Sequence, residues 1–248
     1  MLARITLPQA EFKEMLDSLH GVAMGDEEMT MDLNLIADPD EGVKIYVRNY
    51  NSLQVSHEIT DFDHLQVSEY SEFVFNSQTL YDLVKGADSN EIILQFSEDE
   101  FSVAIGNGYF ATPTRFDLNL VKETEFQSPI MIDDFIEVAT LDQGETLNNL
   151  KMMDSLSPVV EIEVADSELW LKVSDIVQGD GMVMQDIGDK DVPEITYQYS
   201  NAPLKDFLKR SGSEKVKLFL TDTGTLKLEA ISEYVSSKLL QAPRVDTH

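Results

Sequence analysis

The hydrophobic and polar positions of this chain follow the same pattern twice, 124 residues apart. Residues 75–85 and 199–209 each indicate an aromatic-ended strand, a Ser/Asn cap and a short helix with apolar residues at i, i+3 and i+4. These apolar residues are Leu80, Leu83 and Val84 in the first copy and Leu204, Phe207 and Leu208 in the second. A repeat that fills the whole chain predicts a pair of like domains, and it excludes most architectures built around a single active site.

The alternation of apolar and polar residues predicts the remaining elements. In the first half it predicts helices from residue 7 and at 77–87, and strands at 1–6, 29–35, 43–48, 53–59, 72–75, 91–96, 101–105 and 109–112. Gly106-Asn107-Gly108 joins the last two strands and is typical of a hairpin tip. In the second half it predicts helices between 133 and 157 and at 203–211, and strands at 129–132, 159–164, 169–174, 181–186, 195–199, 216–221, 226–231 and 235–240. Each half is thus predicted to be an antiparallel sheet with two helices on one side, an α+β fold.

Residues 116–128 lack a clean apolar period, and we interpret them as a connector between an N-terminal domain (1–115) and a C-terminal domain (129–248). A chain of 248 residues has room for two domains of about 120 residues, each large enough to bury a core. The range 142–157 is longer than its counterpart in the first half, which leaves the limits of its helix open.

The net charge of −28 is the second unusual feature, and it comes from 46 acidic and 18 basic residues. The acidic residues are dispersed through patterned strands and helices instead of forming a disordered acidic block. A protein from a high-salt cytosol fits this distribution, because a Debye length of about 3 Å at 1 M salt screens the self-repulsion. The sign of the charge is then a poor guide to the partners of the protein.

The composition excludes several classes of protein. The chain has no cysteine, so disulfides, thiolate metal sites and cysteine nucleophiles are excluded. Its N-terminus lacks the pattern of a signal peptide, and no apolar run approaches the roughly 18 residues of a membrane span. We therefore expect a cytoplasmic protein with no membrane contact.

No arrangement of catalytic or metal-ligating residues stands out. The four histidines lack metal-ligand spacing, and the chain has no nucleophile-elbow, phosphate-loop or zinc-protease motif. Asp186, Asp189 and Asp191 lack the spacing and the terminal glutamate of a calcium loop, so we interpret them as a solvated acidic loop. We expect a protein without enzymatic activity, cofactor or metal.

The scarce basic residues concentrate in the predicted helices. Six of the 18 lie in or beside them: Lys13, Lys85, Lys151, Lys205, Lys209 and Arg210. They fit the ordinary polar face of an amphipathic helix. They equally fit a positively biased helical face inside a strongly negative molecule, which suits a polyanion.

The C-terminal residues carry a resemblance to a known family. The segment Lys238-Leu239-Leu240-Gln241-Ala242-Pro243-Arg244-Val245 ends a strand and continues as an extended tail that contains proline. Here the chain resembles the proliferating cell nuclear antigen family of DNA sliding clamps, whose members end their last strand in a Leu-Ala-Pro-(Lys/Arg)-Ile-like segment. The resemblance covers the whole chain: two repeats of one topology, the same length, a connector at mid-chain, and Gly108-Tyr109-Phe110-Ala111 entering that connector.

This resemblance implies a function. Three identical copies would form a closed ring around duplex DNA, with the helices and their basic residues lining the hole and the strands forming an outer sheet. A clamp loader would place the homotrimer on DNA, where it would tether a DNA polymerase and other replication and repair enzymes. The protein would thus bind double-stranded DNA topologically, without sequence specificity.

The resemblance also implies two sets of contact residues. Subunits would meet through Tyr109, Ala111 and Pro113 of one copy and Met182, Met184 and Asp186 of the next. Peptides of partner enzymes would dock in a groove under the connector. That groove would be lined by Arg48, Tyr50, Leu53, Leu118, Leu120, Val121, Ala242, Pro243, Arg244 and Val245.

The chain also departs from the family pattern. Residues 48–53 lack the family's Asp-x-x-His/Asn-Val motif, and residues 118–121 match its apolar-acidic connector only loosely. These departures indicate a divergent member, from a halophilic archaeon or one of its viruses, and they bear on partner specificity more than on fold. Two alternatives remain open: a subunit of a heterotrimeric clamp, and a duplicated scaffold or binding protein that does not encircle DNA.

Overall fold

The computed structural model describes residues 1–25, 32–49, 52–87, 90–98, 100–106, 114–120, 126–175, 179–187 and 192–244. These residues divide into two units. The first unit comprises Met1–Asn49, Val55–Pro129 and Ile231–Ser237, and the second comprises Tyr50–Gln54, Ile130–Ala230 and Lys238–His248.

The first unit combines antiparallel strands with two helices. Its elements are β1 (Ala3–Pro8), α1 (Gln9–Gly25), β2 (Asp32–Asp38), β3 (Gly42–Asn49), β4 (Leu53–Ile59), β5 (Leu65–Val67), β6 (Ser71–Asn76), α2 (Ser77–Lys85), β7 (Glu91–Phe96), β8 (Glu100–Gly106) and β9 (Thr114–Asn119). One sheet has the order β5-β1-β7-β8-β9, and β4-β3-β2-β6 are neighbours in another. Among the described strands, β9 therefore lies at a sheet edge.

The core of the first unit follows the predicted apolar periods. Alternate residues of β1 are buried, and α1 buries the face that its sequence predicts: Phe12, Met15, Leu16 and Leu19. This helix contacts β1, β3, β7 and α2. Four phenylalanines pack ring to ring with centroids 4.9 to 5.7 Å apart: Phe73, Phe75, Phe96 and Phe101. These large buried aromatic side chains supply much of the apolar contact that holds the strands together.

The second unit repeats this plan. Its elements are β10 (Ile136–Asp142), α3 (Gln143–Asp154), β11 (Val159–Ala165), β12 (Glu168–Asp175), β13 (Gly179–Asp186), β14 (Ile195–Ser200), α4 (Asn201–Arg210), β15 (Lys215–Leu220), β16 (Leu226–Ile231) and β17 (Ser236–Gln241). One sheet has the order β13-β12-β11-β14, and β10-β15-β16-β17 are neighbours in another. The structure confirms the predicted α+β fold, with antiparallel strands and two helices in each half.

The two capped helices of the sequence repeat bury the apolar face that was predicted. In α2, Leu80 and Val84 are buried and Leu83 is half-buried; in α4, all three apolar residues are buried. The caps differ, however. Asn76 Oδ1 accepts the N–H groups of residues 78 and 79 before α2, whereas Ser200 makes no side-chain cap bond before α4.

A second correspondence between the halves is visible only in the structure. The first residue of α1 and the first residue of α3 are both glutamine. Gln9 donates its side-chain amide to the carbonyl of Val84, 3.4 Å away near the end of α2, and Gln143 donates to the carbonyl of Leu208 near the end of α4. Each glutamine thereby adds a side-chain hydrogen bond to a carbonyl near the end of the second helix of its unit.

The predicted connector begins later than the sequence indicated. Residues 114–119 form β9, which pairs with β8 from Ile105↔Thr114 to Glu100↔Asn119. Arg115 and Asp117 are exposed on one face of this strand, and Phe116 is partly exposed on the other. An edge strand with exposed residues on both faces shows no clean alternation, which is why this part of 116–128 was interpreted as irregular.

Two further ranges differ from the prediction. Residues 129–132 do not form a strand, and β10 begins at Ile136. The N–H of Ile130 instead donates to the side-chain oxygen of Gln54 at 2.7 Å, and Met131 is 72% exposed. The three-residue strand β5 is too short to give a pattern in the sequence. The predicted strand at 109–112 lies outside the described residues.

Candidate functional site

All six basic residues singled out in the sequence lie in the helices. Lys13 belongs to α1, Lys85 to α2 and Lys151 to α3, while α4 carries Lys205, Lys209 and Arg210. Lys85, Lys151 and Lys209 are exposed, and the other three are half-buried.

The helices are close to electrically neutral inside a strongly negative molecule. They contain six basic and seven acidic residues, and so carry −1 of the net charge of −28. Only α4 is net positive, at +2, whereas α1 is net negative, at −2. On α1, partial desolvation and then the neighbouring Glu11 and Asp17 raise the pKa of the Glu14 carboxyl. The four helices together are therefore nearly neutral, and the DNA-binding role of their basic residues stays a prediction.

A groove of about 220 Å³ lies between α1 and α2. It is lined by Lys13, Leu16, Asp17, Tyr81, Val84 and Lys85. The Nζ of Lys85 lies 5.2 Å from the centroid of the Tyr81 ring, a cation–π distance. With two ammonium groups and one carboxylate, the groove can accept an anionic group such as a phosphate.

A contact between α1 and α2 and a contact between α3 and α4 occupy equivalent positions but are of different kinds. In the first unit, His20 stacks on Tyr81 with ring centroids 4.5 Å apart and planes 10° apart. In the second unit, Lys205 forms an ion pair with Asp154. Tyr81 and Lys205 are 124 residues apart, the period of the repeat. The charge of Lys205 is therefore already engaged inside its own unit.

The edge strands β9 and β13 expose apolar side chains. Phe116 on β9 is 36% exposed, and Met182 and Met184 on β13 are 64% and 46% exposed. Beside β13 lies a groove of about 280 Å³, whose apolar lining includes Leu141, Leu169, Leu171 and Val183. Exposed edges of this kind are open to pairing with another strand.

The residues predicted to form the subunit contact are only partly described. Met182, Met184 and Asp186 belong to β13, although the side chain of Asp186 is not described. Tyr109, Ala111 and Pro113 lie outside the described residues. Sequence reasoning missed Phe116, because it placed that residue in the connector; its register opposite the buried Val103 identifies it as the inward-facing residue of an edge strand.

Several residues predicted to line the partner groove are buried, half-buried or hydrogen-bonded. Arg48 donates from Nη1 to the carbonyl of Ser128, and Leu53 is 4% exposed. Leu118 lies opposite the buried Phe101 on β8, and Leu120 is half-buried. Tyr50, Val121 and Val245 lie outside the described residues. The docking role of this set stays a prediction.

The start of the C-terminal tail is hydrogen-bonded to the second unit. The N–H of Ala242 donates to the carbonyl of Ser52 at 2.7 Å, and the N–H of Arg244 donates to the carbonyl of Gln198 on β14 at 2.7 Å. Pro243 between them is half-buried. The sequence predicted only an extended tail after the last strand, whereas backbone hydrogen bonds hold its first residues to Ser52 and to β14.

The described part of the chain offers neither a candidate metal site nor a membrane-spanning helix. Those residues include no cluster of three or more histidine, aspartate or glutamate side chains that could hold a metal ion. None of their helices is long and apolar enough to cross a membrane.

Comparison with known proteins reveals similarity only at the level of structure. No protein-family model matches the chain, and no curated protein matches it. The crystal structure of Proliferating Cellular Nuclear Antigen from Entamoeba histolytica is 20% identical, with a TM-score of 0.75, and covers 98% of this chain and 99% of its own. A structure of the C-terminal region of FEN-1 bound to A. fulgidus PCNA is 14% identical, with a TM-score of 0.78, and covers 99% and 100%. The chain therefore has the fold of these clamps over nearly its entire length.

Proposed function

We propose that this protein is a DNA sliding clamp: a ring of three copies that encircles duplex DNA and tethers a DNA polymerase and other replication and repair enzymes. The observation that carries the proposal is the match to two PCNA structures along at least 98% of both chains, at TM-scores of 0.75 and 0.78. A clamp acts by holding other enzymes on DNA, so the function needs no catalytic residue, cofactor or metal.

In the proposed ring, β9 of one copy pairs with β13 of the next. Joining two different edges is a heterologous contact, which closes into a ring when the rotation between copies divides a full turn. The contact would cover Phe116, Met182 and Met184, which are otherwise exposed apolar residues at strand edges. The Phe116 ring of one copy would enter the groove beside β13 of its neighbour.

The helices would line the hole, and two lysines support this role. Lys85 and Lys209 are both exposed, and they lie 124 residues apart at equivalent positions of the repeat. A ring of three copies would therefore present six such lysines to the duplex. Both residues also lie in the last turn of their helices, where a cation favours the helix dipole, so the experiment must separate DNA contact from helix stability.

A ring suits a cytoplasmic protein that works in concentrated salt. Affinity from phosphate contacts falls by about 0.9 log units per log unit of salt for each phosphate contacted. A topological link does not depend on that contribution. Three copies at −28 each also repel one another unless salt screens them, which a Debye length of about 3 Å at 1 M does.

Partner enzymes would dock through short peptides at the connector and the C-terminal segment. One of the similar structures contains the C-terminal region of FEN-1 bound to a PCNA. In this chain, Pro243 in the C-terminal segment and Leu120 in the connector are half-buried, so each offers part of an apolar side chain to such a peptide.

The ring can be tested by mass and by topology. In molar KCl, light scattering should give three times the chain mass of 27.9 kDa, and dilution to low salt should dissociate the trimer. Returning salt in the presence of circular DNA should trap rings on the DNA until a restriction enzyme makes the DNA linear. If the protein has the mass of one chain and forms trimers only when a second kind of chain is added, the clamp is a heterotrimer. Any other mass, or equal retention on linear and circular DNA, would exclude the ring.

Variants separate the two surfaces. Phe116→Asp should yield folded monomers, because it places a charge in the proposed contact. The double variant Lys85→Gln, Lys209→Gln should assemble normally and load less efficiently onto DNA. The matched control, Lys215→Gln with Lys217→Gln on β15, removes the same charge outside the helices and should load normally. Equal loading of the two double variants would contradict the assignment of the helices to the hole.

A further inference from the structure

The peptide group of Gln127 is held from both sides by two side chains. Its N–H donates to Oδ1 of Asn34 at 3.0 Å, and its carbonyl accepts the hydroxyl hydrogen of Tyr46 at 2.5 Å. Asn34 on β2 and Tyr46 on β3 are directly opposite each other in the strand register. Together, the two side chains supply the hydrogen bonds that a neighbouring strand would otherwise give to this peptide group.

The residues on either side of Gln127 are fixed to the same two strands. Arg48, two positions after Tyr46 on β3, donates from Nη1 to the carbonyl of Ser128. The ring of Phe126 meets the Tyr46 ring edge-on, with centroids 6.3 Å apart and planes at 81°. Three consecutive residues at the end of the connector are therefore anchored on the outward face of β2 and β3.

Asn34 and Tyr46 place two polar side chains in the interior of the first unit. Asn34 is 5% exposed and Tyr46 is fully buried, and a buried polar group destabilises the fold unless it is hydrogen-bonded. Strand pairing does not require either side chain, because the sheet is held by backbone groups. Apolar residues would fill both positions without a polar group to satisfy. Burial also raises the pKa of the Tyr46 phenol, which keeps its hydroxyl protonated as a donor.

We propose that Asn34 and Tyr46 are positioning residues that fix the C-terminal end of the connector, residues 126–128, for the docking of partner peptides. The inference rests on the proposed function, because it concerns the docking of partners. The connector is fixed at one end by the pairing of Asn119 with Glu100 and at the other end by the anchored Gln127. Residues that are fixed before a peptide binds lose less conformational entropy on binding. Neither positioning residue needs to contact the peptide.

Three variants and one control test this proposal. Asn34→Ala removes the acceptor, Tyr46→Phe removes only the hydroxyl, and Asn34→Asp keeps an acceptor for the N–H of Gln127. The matched control is Lys44→Gln on the same face of β3, where the ammonium pairs with Glu58 at 3.0 Å. The probe is a synthetic peptide of the C-terminal region of FEN-1, added to the assembled protein in molar KCl.

Two measurements are made on each variant: hydrogen exchange of the Gln127 amide, and the Kd of the peptide. Asn34→Ala should speed the exchange, and both Asn34→Ala and Tyr46→Phe should raise the Kd by between about threefold and tenfold, the loss expected for one hydrogen bond. Asn34→Asp should restore both values, the Lys44→Gln control should change neither, and the mass of the assembly should stay constant in every variant.

Each other outcome overturns the proposal in a recognisable way. Unchanged exchange of the Gln127 amide in Asn34→Ala would show that the anchor does not hold the chain in solution. Faster exchange with a Kd within twofold of the unmodified protein would show that the anchor does not position the docking site. A changed assembly mass would assign the pair to assembly instead. If the unmodified ring forms but does not bind the peptide, the proposed docking itself fails, and the exchange measurement still reports whether the anchor exists.

Discussion

His57 should make the stability of the first unit depend on pH. Its imidazole is 2% exposed on β4, and Nδ1 lies 2.8 Å from the hydroxyl oxygen of Ser237. Among the described residues, Nε2 has no hydrogen-bond partner. Burial lowers the pKa of this imidazole from 6.5 to about 3, because desolvation disfavours the charged ring.

The sign and the size of the effect follow from that pKa. The unfolded chain takes up a proton on His57 below a pH of 6.5, whereas the folded protein keeps the ring neutral until about pH 3. The unfolded state therefore binds more protons between these values, and stability falls as the pH decreases from 6.5 towards 3. At about 1.4 kcal/mol per pH unit, His57 alone removes about 2 kcal/mol between about pH 8 and pH 5, and about 4 kcal/mol by about pH 3.

Urea unfolding in molar KCl isolates this contribution when the protein is compared with His57→Gln. The difference in unfolding free energy between the two should shrink by about 2 kcal/mol from about pH 8 to about pH 5. Every other titratable group is present in both proteins, so the difference between them isolates His57. A free-energy difference for His57→Gln that stays constant within about 0.5 kcal/mol would refute the reasoning.

Two further predictions concern polar contacts of the second unit. Asp154→Asn removes the ion pair with Lys205. Calorimetry should therefore show a destabilisation of up to about 1 kcal/mol at low salt, and this destabilisation should shrink in molar KCl. A destabilisation that does not change with salt would mean that packing, not charge, joins α3 to α4. Truncation after Arg244 should leave the melting temperature unchanged, whereas truncation after Gln241 should lower it, because it removes the N–H groups that bond to Ser52 and Gln198. Equal melting of the two truncated proteins would contradict that account.

The apolar period alone was enough to predict the repeat and most of its elements. Leu204, Phe207 and Leu208 are buried because their spacing places them on one face of a helix that packs on the core. The strand β9 was missed because it lies at an edge, where neither face is fully buried. The apolar period reflects burial, and it weakens in a strand of which neither face is fully buried.

The apolar period could not predict the side-chain contacts at the candidate site. The hydrogen bond between Asn34 and Gln127 joins residues 93 positions apart, and the ion pair between Asp154 and Lys205 joins residues 51 positions apart. Of these two contacts, only the first is indicated by the sequence, because Asn34 interrupts an apolar run between Leu33 and Leu35 on β2. A polar residue inside a buried strand predicts that its side chain has a bonding partner, although not which one.

The neutrality of the helices bears on how the proposed ring would hold DNA. If lysines supplied the main attraction, the seven carboxylates on the same four helices would oppose it, and molar salt would screen what remained. The helices carry a net charge of −1, and the rest of the chain carries −27. The helices would therefore be the part of the protein that repels the DNA phosphates least. Closure of the ring, and not attraction, would then hold the protein on the duplex. Retention on circular DNA should therefore be insensitive to salt over the range in which the trimer stays assembled.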